Sequence, residues 1–325
     1  MVCVRAPERN KIGIIFNPKG GANRKREAQV TALLSRLGKV CKATNPFEVK
    51  MALKALAKEG RNWLIVSGGD GTVQMVLTSL FMHRPYCFMP YLAILPGGTT
   101  NLIALDVGPR GSQSAAIKRL DKVLEREQKA KTVSMQMQKR VILRVSSSRH
   151  NGRYFMFLGG GLIAEGVAFF EKSFRDRSRT PFLSVAYTLF RYLAQFLTEK
   201  AGYETMKFVL DEKERISGEV GCFMVSSLER LFWGIKPFWH YHPGKGNITV
   251  FFKKAKKFMR LLPFILSGRT NPDLTLKNGY FSSNFSKVHV FSRSALAVDG
   301  ELMPPEGSES CFTIEKASEL LFWKW

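Results

Sequence analysis

A short apolar run, followed at once by glycines and then by a helix-like run, most constrains the fold of this chain. Trp63 to Val66 form the apolar run, Gly68-Gly69-Asp70-Gly71-Thr72 follows it, and residues 73–77 have a helical pattern. This order predicts a buried strand that ends in a tight turn and enters a helix. Glycines let the backbone approach a ligand, and N–H groups at the start of a helix attract anions. The segment predicts a phosphate site, beside which Asp70 would hold Mg²⁺ or accept a proton or a hydrogen bond. A plain turn with a solvated Asp70 would contain the same residues.

Two further segments show the same order of residues. An apolar run at 11–16 precedes Asn17-Pro18-Lys19-Gly20-Gly21, and another at 91–95 precedes Pro96-Gly97-Gly98-Thr99-Thr100-Asn101. Strands that alternate with helices predict an open parallel α/β sheet, in which loops at the carboxyl ends of strands bind ligands. We therefore expect the three glycine-rich loops to meet in one site. Helices are predicted at about 23–37 and at 46–58, the second with an apolar side made of Phe47, Met51, Leu53, Leu56 and Ala57.

The second half of the chain has a different pattern. Beyond a basic helical connector at 112–131, apolar and polar residues alternate, without regular helices between the runs. This pattern predicts an antiparallel second domain. We place an α/β domain at 1–133 and a β domain at 134–325, and we expect the extreme C-terminus to return to the first domain. The predicted strands lie at 141–145, 154–157, 206–210, 248–252, 288–291, 311–315 and 320–323. Gly159 to Gly161 follow one of them, as a ligand approach, a bulge or a turn.

The charge of the chain predicts an anionic partner. Lys and Arg outnumber Asp and Glu by 50 to 26, which gives a net charge of +24 over 325 residues. The basic cluster at 253–257 runs directly into the apolar stretch 258–266, which Pro263 should interrupt and Ser267-Gly268 should end. Basic residues next to apolar ones favour an anionic membrane surface over specific nucleic acid, although a solvated helix beside a core strand has the same pattern. A second apolar helix, at 181–197, could belong to the core, line a lipid-tail pocket or lean on the bilayer.

The cysteines and the hydropathy predict where the protein resides. Five cysteines are widely scattered and lack the paired spacing of metal ligands, so we expect free thiols in a reducing compartment. Neither apolar window, at 154–170 or 181–197, is long and apolar enough for a convincing spanning helix, and no signal peptide is recognisable. We therefore expect a cytoplasmic protein with peripheral membrane association. A homodimer is compatible with the sequence.

In order and spacing, the three glycine-rich loops resemble those of the diacylglycerol kinase catalytic family. The similarity is greatest to its soluble bacterial-type lipid kinases, whose core is similar to that of sphingosine and ceramide kinases. The segment at 68–72 is also shared with NAD kinases. The resemblance implies an N-terminal open α/β nucleotide-binding domain and a C-terminal antiparallel β-sandwich, with the active site in the cleft between them. It also implies ATP and Mg²⁺ as cofactors, a lipid substrate and a role in lipid metabolism.

The same resemblance implies roles for individual residues. Asp70 would arrange Mg²⁺, and Glu301, in the segment Val298-Asp299-Gly300-Glu301, would accept the proton from the lipid hydroxyl. Asp-Gly is also a strong hairpin signal, so Glu301 could be a hairpin residue as well. The implied nucleotide contacts are Asn17, Gly20, Gly21, Thr44, Gly68, Gly69, Asp70, Gly71, Thr72, Gln74, Gly98, Thr99 and Asn101.

Three departures from the family pattern leave the activity open. Gln74-Met75 stands where the family has Asn-Glu, and the loop 242–248 lacks the carboxylates that could hold an auxiliary magnesium ion. Bulky residues at 226–233 replace a glycine-rich segment. We expect an ATP-dependent lipid kinase acting on diacylglycerol or a sphingoid lipid. The alternatives are an NAD kinase and a catalytically inactive protein that binds nucleotide and anionic membrane.

Overall fold

The computed structural model describes residues 2–21, 23–24, 26–109, 111–130, 134–174, 203–253 and 255–325. The chain divides into two compact units, one comprising Met1–Arg140 with Glu319–Trp325, the other Val141–Ser318. Residues 134–140 therefore belong to the first unit, together with the last seven residues. The apolar helix predicted at 181–197 lies outside the described residues.

The first unit contains a parallel sheet with the order β5-β4-β2-β3. Phe16 pairs with both Lys42 and Ser67, and Gly68 pairs with Pro96. The strands are β1 (Val2–Arg5), β2 (Ile12–Phe16), β3 (Lys39–Lys42), β4 (Trp63–Gly68) and β5 (Tyr91–Pro96). The helices are α1 (Glu27–Ser35), α2 (Pro46–Lys58), α3 (Asp70–His83), α4 (Leu102–Val107) and α5 (Gln113–Ala130).

Burial explains why β2 and β4 are continuous apolar runs. Every residue of both strands is buried, as expected of central strands in a parallel sheet that is covered on both faces. The predicted helix at 46–58 is α2, and its apolar side is the predicted one only in part, since Leu53 and Leu56 are buried. Phe47 and Met51 are 70% and 49% exposed. The residues of α2 that enter the core are Val49, Ala52, Leu53 and Leu56.

The second unit is built from antiparallel strands, as predicted. Their buried side chains form one large core, in which Phe208 and Phe223 pack edge to face. The strands are β6 (Ser134–Ser146, which starts in the first unit), β7 (Arg153–Phe155), β8 (Phe157–Gly161), β9 (Glu204–Leu210), β10 (Glu214–Ser226), β11 (Gly246–Phe252), β12 (Tyr280–Phe285), β13 (Lys287–Ser292), β14 (Leu296–Val298), β15 (Glu301–Met303) and β16 (Ser310–Lys324, which ends in the first unit).

Two helices of this unit correct the expectation of strands without intervening helices. They are α6 (Leu162–Phe174) and α7 (Phe258–Ser267). Pro263 lies inside α7 and does not interrupt it, whereas Gly268 ends the helix in a left-handed conformation, as predicted. Gly159 to Gly161 lie within β8 and not after it. A side chain at Gly160 would meet the ring of Phe223 at 2.0 Å, so close packing and not a turn requires glycine there.

The described cysteine side chains are free thiols, as expected from their scattered positions. Cys41, Cys87, Cys222 and Cys311 are free thiols, and burial raises the pKa of Cys222 to about 12. Among the described residues, none of the helices has the length and apolar character required to cross a membrane.

Candidate functional site

The three glycine-rich loops meet at the carboxyl ends of β2, β4 and β5. The Gly97 N–H donates to the Gly68 carbonyl at 3.0 Å, which ties the third loop to the second. The Asn17 N–H donates to the Ser67 carbonyl at 2.9 Å, which ties the first loop to the second. The predicted convergence is therefore present within the first unit.

Glycine is required where these loops touch. A Cβ on Gly98 would lie 2.3 Å from the Gly69 Cα atom, and a Cβ on Gly20 would lie 2.5 Å from the Gly97 carbonyl oxygen. Both distances are shorter than any van der Waals contact, and the atoms met belong to the backbone, which cannot rotate away. The loops pack backbone against backbone, so their peptide groups form the surface that a ligand would meet.

The Asp70 carboxylate connects the second glycine-rich loop to the third by hydrogen bonds. It accepts hydrogen bonds from Thr100 Oγ1 at 2.7 Å, from the Leu102 N–H at 3.0 Å and from the Ile103 N–H at 2.9 Å. The residue is 8% exposed, and burial raises the pKa of its carboxyl although these three donors oppose the shift. Asp70 thus holds the start of α4 against the start of α3. Its assignment as a metal ligand stays a prediction.

The side-chain amides of Asn23 and Gln113 form a hydrogen-bond network that holds the first loop to the end of β4. This network was not predicted from the sequence. Asn23 is fully buried, and its Nδ2 donates to the Asn17 carbonyl at 2.8 Å and to the Ser67 carbonyl at 3.3 Å. Gln113 Nε2 donates to Asn23 Oδ1 at 2.9 Å and to Ser67 Oγ at 2.8 Å. A Cβ on Gly97 would meet Asn23 Nδ2 at 2.7 Å. The only available signal was an Asn shortly after a glycine pair, which does not identify a partner in α5.

Other predicted nucleotide contacts have structural partners of their own. Asn17 Nδ2 donates to Thr72 Oγ1 at 2.9 Å, so these two side chains connect the first loop to α3. Asn101 has a φ of 52° and closes the Gly98 turn, because its Oδ1 accepts from the Gly98 N–H at 2.7 Å. Gln74 is buried in α3, whereas Gly21 and Thr99 are exposed at the loop tips. A side chain at Gly21 would lie 2.9 Å from the Thr99 hydroxyl.

Thr44 belongs to the cap of α2. Its N–H and hydroxyl both donate to Glu48 Oε2, at 2.6 and 3.0 Å, while Asn45 Oδ1 accepts from the Glu48 N–H at 2.9 Å. This arrangement is a variant of the capping box, because Glu48 accepts from the N–H of the residue before the N-cap Asn45. The described contacts of Thr44 serve the helix, and its contact with a nucleotide stays a prediction.

Glu301 lies on a hairpin in the second unit. Asp299 and Gly300 have φ values of 46° and 88° and form the turn between β14 and β15, with Val298 paired to Glu301. The hairpin reading of Asp-Gly is therefore confirmed. The Asp299 carboxylate accepts from the Phe157 N–H at 2.9 Å and from the Met156 N–H at 3.2 Å, which fastens the turn to β8. Sequence reasoning gave this buried acid no role.

The Glu301 side chain is available to solvent. Its exposed fraction is 50%, and Arg153 Nη1 lies 3.8 Å from its Oε2. A half-exposed carboxylate on a firmly held hairpin can accept a proton from a hydroxyl group, although the hairpin alone does not require that role.

One segment that departs from the family pattern, the loop 242–248, is held by a buried asparagine. Asn247 is fully buried, its Oδ1 accepts from the His242 N–H at 2.6 Å, and its Nδ2 donates to the His242 carbonyl at 3.1 Å. An amide thus closes the loop 242–247. In the described ranges, no group of three or more His, Cys, Asp and Glu side chains could hold a metal ion.

Comparisons with known proteins agree with this geometry. Residues 11–135 match the family model described as the diacylglycerol kinase catalytic domain. No curated protein sequence matches the chain.

Three of the solved structures with a similar fold come from Bacillus anthracis strain Sterne. One is a crystal structure of a diacylglycerol kinase, with 17% sequence identity to this chain and a TM-score of 0.60. The alignment covers 98% of this chain and 97% of the kinase chain. Two other structures carry a provisional diacylglycerol kinase assignment. One is 19% identical, with a TM-score of 0.66 and coverage of 98% and 97%. The other is 18% identical, with a TM-score of 0.61 and coverage of 98% and 99%. At these identities the likeness shows the fold, which is a two-domain mixed α/β fold.

Proposed function

Since the chain carries a diacylglycerol kinase catalytic domain over residues 11–135, we propose that it is an ATP-dependent lipid kinase that phosphorylates a lipid hydroxyl. Diacylglycerol is the leading acceptor, and a sphingoid lipid is the other. One observation carries the proposal beyond the family match. The three glycine-rich loops touch backbone to backbone at the carboxyl ends of neighbouring parallel strands. This is where open α/β sheets bind ligands.

In this proposal the loops hold the triphosphate. The backbone of Gly68 to Thr72 and the hydroxyl of Thr99 contact the phosphates, while Asn17, Gly20 and Gly21 shape the nucleotide side. Phosphoryl transfer needs little covalent chemistry from the protein, so its rate depends on positioning and on neutralising charge. The amide network around Asn23 supports this role because it fixes the first loop to the end of β4.

A magnesium ion fits the site only together with the nucleotide. A carboxylate has about four acceptor positions, and the Asp70 carboxylate already accepts from Thr100, Leu102, Ile103 and its own backbone N–H. Mg²⁺ is usually held by one or two carboxylates together with substrate phosphates, so the phosphates would supply most of the ligands of an ion beside Asp70. When bound, Mg²⁺ would neutralise charge on the transferred phosphoryl group. Without any ligand, the role of the Asp70 carboxylate is to hold Thr100, Leu102 and Ile103 in place.

Glu301 is the proposed proton acceptor. The exposed carboxylate accepts the hydroxyl proton of the lipid as that oxygen attacks the γ-phosphorus of ATP, and the bond from this phosphorus to the β–γ bridging oxygen breaks to release ADP. Arg153, 3.8 Å away, orients the carboxylate by charge. The Asp299 bonds to β8 support this role by holding the hairpin in one position.

The experiment is a panel of acceptors presented with γ-labelled ATP. Purified protein is incubated with dispersed diacylglycerol, sphingosine, ceramide or NAD, and labelled product is separated by extraction. We expect label in a lipid, with diacylglycerol the best acceptor. Label in NAD alone would establish an NAD kinase instead. ATP binding without transfer to any acceptor would establish a catalytically inactive nucleotide-binding protein.

A further inference from the structure

Helix α7 has an apolar face turned towards solvent. Leu261 and Ile265 are buried against Trp239, Phe251 and Tyr280, so one side of the helix belongs to the core. The opposite side should then be polar, as in an ordinary amphipathic helix of a globular protein. Here four of the six exposed residues of α7 are apolar, namely Met259, Pro263, Phe264 and Leu266, and the other two are Arg260 and Ser267.

Exposed apolar residues continue this face beyond both ends of the helix. Near the N-terminal end, the Lys256 N–H donates to the Asn278 carbonyl at 2.9 Å, which brings the segment with Leu276 alongside. Leu276 is 51% exposed. Near the C-terminal end, the Lys236 N–H donates to the Leu266 carbonyl at 2.8 Å, three residues after the exposed Trp233. We call Met259, Pro263, Phe264, Leu266, Leu276 and Trp233 together the α7 surface.

Basic residues surround the α7 surface. Residues 253–277 contain seven Lys or Arg and a single acid, Asp273. Asp273 is engaged in an ion pair with Lys257, with Nζ and Oδ2 3.0 Å apart. Arg260, Arg269 and Lys277 are exposed. The surface therefore combines protruding apolar side chains with a strongly positive rim.

We propose that the α7 surface docks on an anionic lipid bilayer, with α7 lying in the interface and its outer apolar side chains among the acyl chains. Amphipathic interfacial helices bind through the same combination of buried apolar area and attraction to anionic headgroups. A second copy of the chain is a poorer occupant, because each copy carries a net charge of +24 and would bring the same positive rims together. The inference goes beyond the proposed function. It explains how a lipid acceptor could be reached and holds even if the chain transfers no phosphate.

Vesicle flotation with the full chain tests the apolar part of the proposal. The vesicles contain phosphatidylcholine alone or phosphatidylcholine with phosphatidylglycerol, and no nucleotide or acceptor is present. The double variant Met259→Gln, Phe264→Gln should bind anionic vesicles about tenfold more weakly than the wild type, because two inserted apolar side chains are lost. The matched control is Phe47→Gln, Met51→Gln on α2, another exposed Phe and Met pair, and it should bind like the wild type.

A charge variant tests the rim independently. Arg260→Gln, Arg269→Gln, Lys277→Gln should weaken binding to anionic vesicles roughly a hundredfold at low salt, since each basic residue near the surface adds about fivefold. The control Lys50→Gln, Lys54→Gln, Lys58→Gln removes the same charge from α2 and should have a much smaller effect. Thermal melts verify that all four variants are folded.

Three results would overturn the inference. They are equal wild-type binding to both vesicle types, equal losses in the α7 and α2 variants, and unchanged vesicle binding of both α7 variants. Sedimentation velocity without vesicles tests whether a second copy of the chain binds the α7 surface instead. A wild-type dimer that the Met259→Gln, Phe264→Gln variant converts to a monomer, with vesicle binding unchanged, would assign the α7 surface to a second copy. Because these measurements contain no ATP, their failure is distinct from a failure of the kinase proposal.

Discussion

At the scale of single residues, Asp70 does more than the glycine-rich segment around it suggests. An acid after two glycines indicated a metal ligand or a hydrogen-bond acceptor beside phosphates. The structure shows the acceptor role towards the protein itself, because both carboxylate oxygens receive hydrogen bonds from the segment 100–103. A substitution at Asp70 therefore affects the fold of the loops as well as any chemistry.

We predict that Asp70→Asn destabilises the protein by about 1–3 kcal/mol, because an amide NH₂ would face donors that the carboxylate now satisfies. Chemical denaturation measures the effect. Thr100→Val removes one donor and leaves both backbone N–H groups bonded, so its loss should be smaller. If Asp70→Asn were as stable as the wild type, the hydrogen bonds of Asp70 would not stabilise the loops, and its role would be limited to the chemistry of the site.

Local sequence identified the glycines of the site but not its buried polar residues. The glycines at 20, 68, 69 and 98 could be predicted because each follows an apolar run within a few positions. Asn23 and Gln113 could not, since their hydrogen bond joins residues that are far apart in sequence and that no local pattern connects. Asp299 could not be predicted for the same reason, because its partners Met156 and Phe157 lie at the start of β8, much earlier in the chain.

At the scale of elements, the start of α2 depends on its capping box. Hydrogen bonds from the Thr44 N–H and hydroxyl hold the pKa of Glu48 below its ordinary value. A group whose pKa is lower in the folded state stabilises the protein above its unfolded pKa, and that stabilisation disappears as the pH falls through the folded pKa.

We therefore predict that Glu48→Ala melts at a lower temperature than the wild type at neutral pH. The difference should shrink as the pH falls below 4.5, the ordinary pKa of Glu48, because the wild-type carboxyl then becomes protonated. Paired thermal melts across this range measure it. A difference that is independent of pH would show that the Glu48 carboxylate charge does not contribute to the cap.

Element bounds were easier to predict than element faces. The apolar periodicity located α2 correctly, yet Phe47 and Met51 point to solvent, because apolar character near a helix start does not by itself determine which side packs. The expected break at Pro263 was wrong for a related reason. Pro263 is exposed, so water can satisfy the Met259 carbonyl that would otherwise accept its missing N–H.

At the scale of the whole molecule, the period of the apolar pattern separated the two kinds of sheet. Continuous apolar runs became the parallel strands of the first unit, and alternating runs became the antiparallel strands of the second. The final strand was harder to predict, because 311–315 and 320–323 belong to one strand, β16. Residues 311–315 pair with β13, whereas Phe322 pairs with Leu92 of β5 and Trp323 packs edge to face on Trp63. These partners are distant in sequence.

The lipid-kinase account is tested most directly by the initial rate of label transfer from γ-labelled ATP to dispersed diacylglycerol, for the wild type and Glu301→Gln. The wild type should transfer label. The variant should be slower by roughly 10²–10⁴-fold because it lacks the proton acceptor, with ATP affinity and melting temperature unchanged. Glu309→Gln, an exposed glutamate in the following loop, is the control and should retain the wild-type rate. Near-wild-type transfer by Glu301→Gln would show that Glu301 is only a hairpin residue, and a wild type that transfers no label to diacylglycerol or a sphingoid lipid would contradict the account.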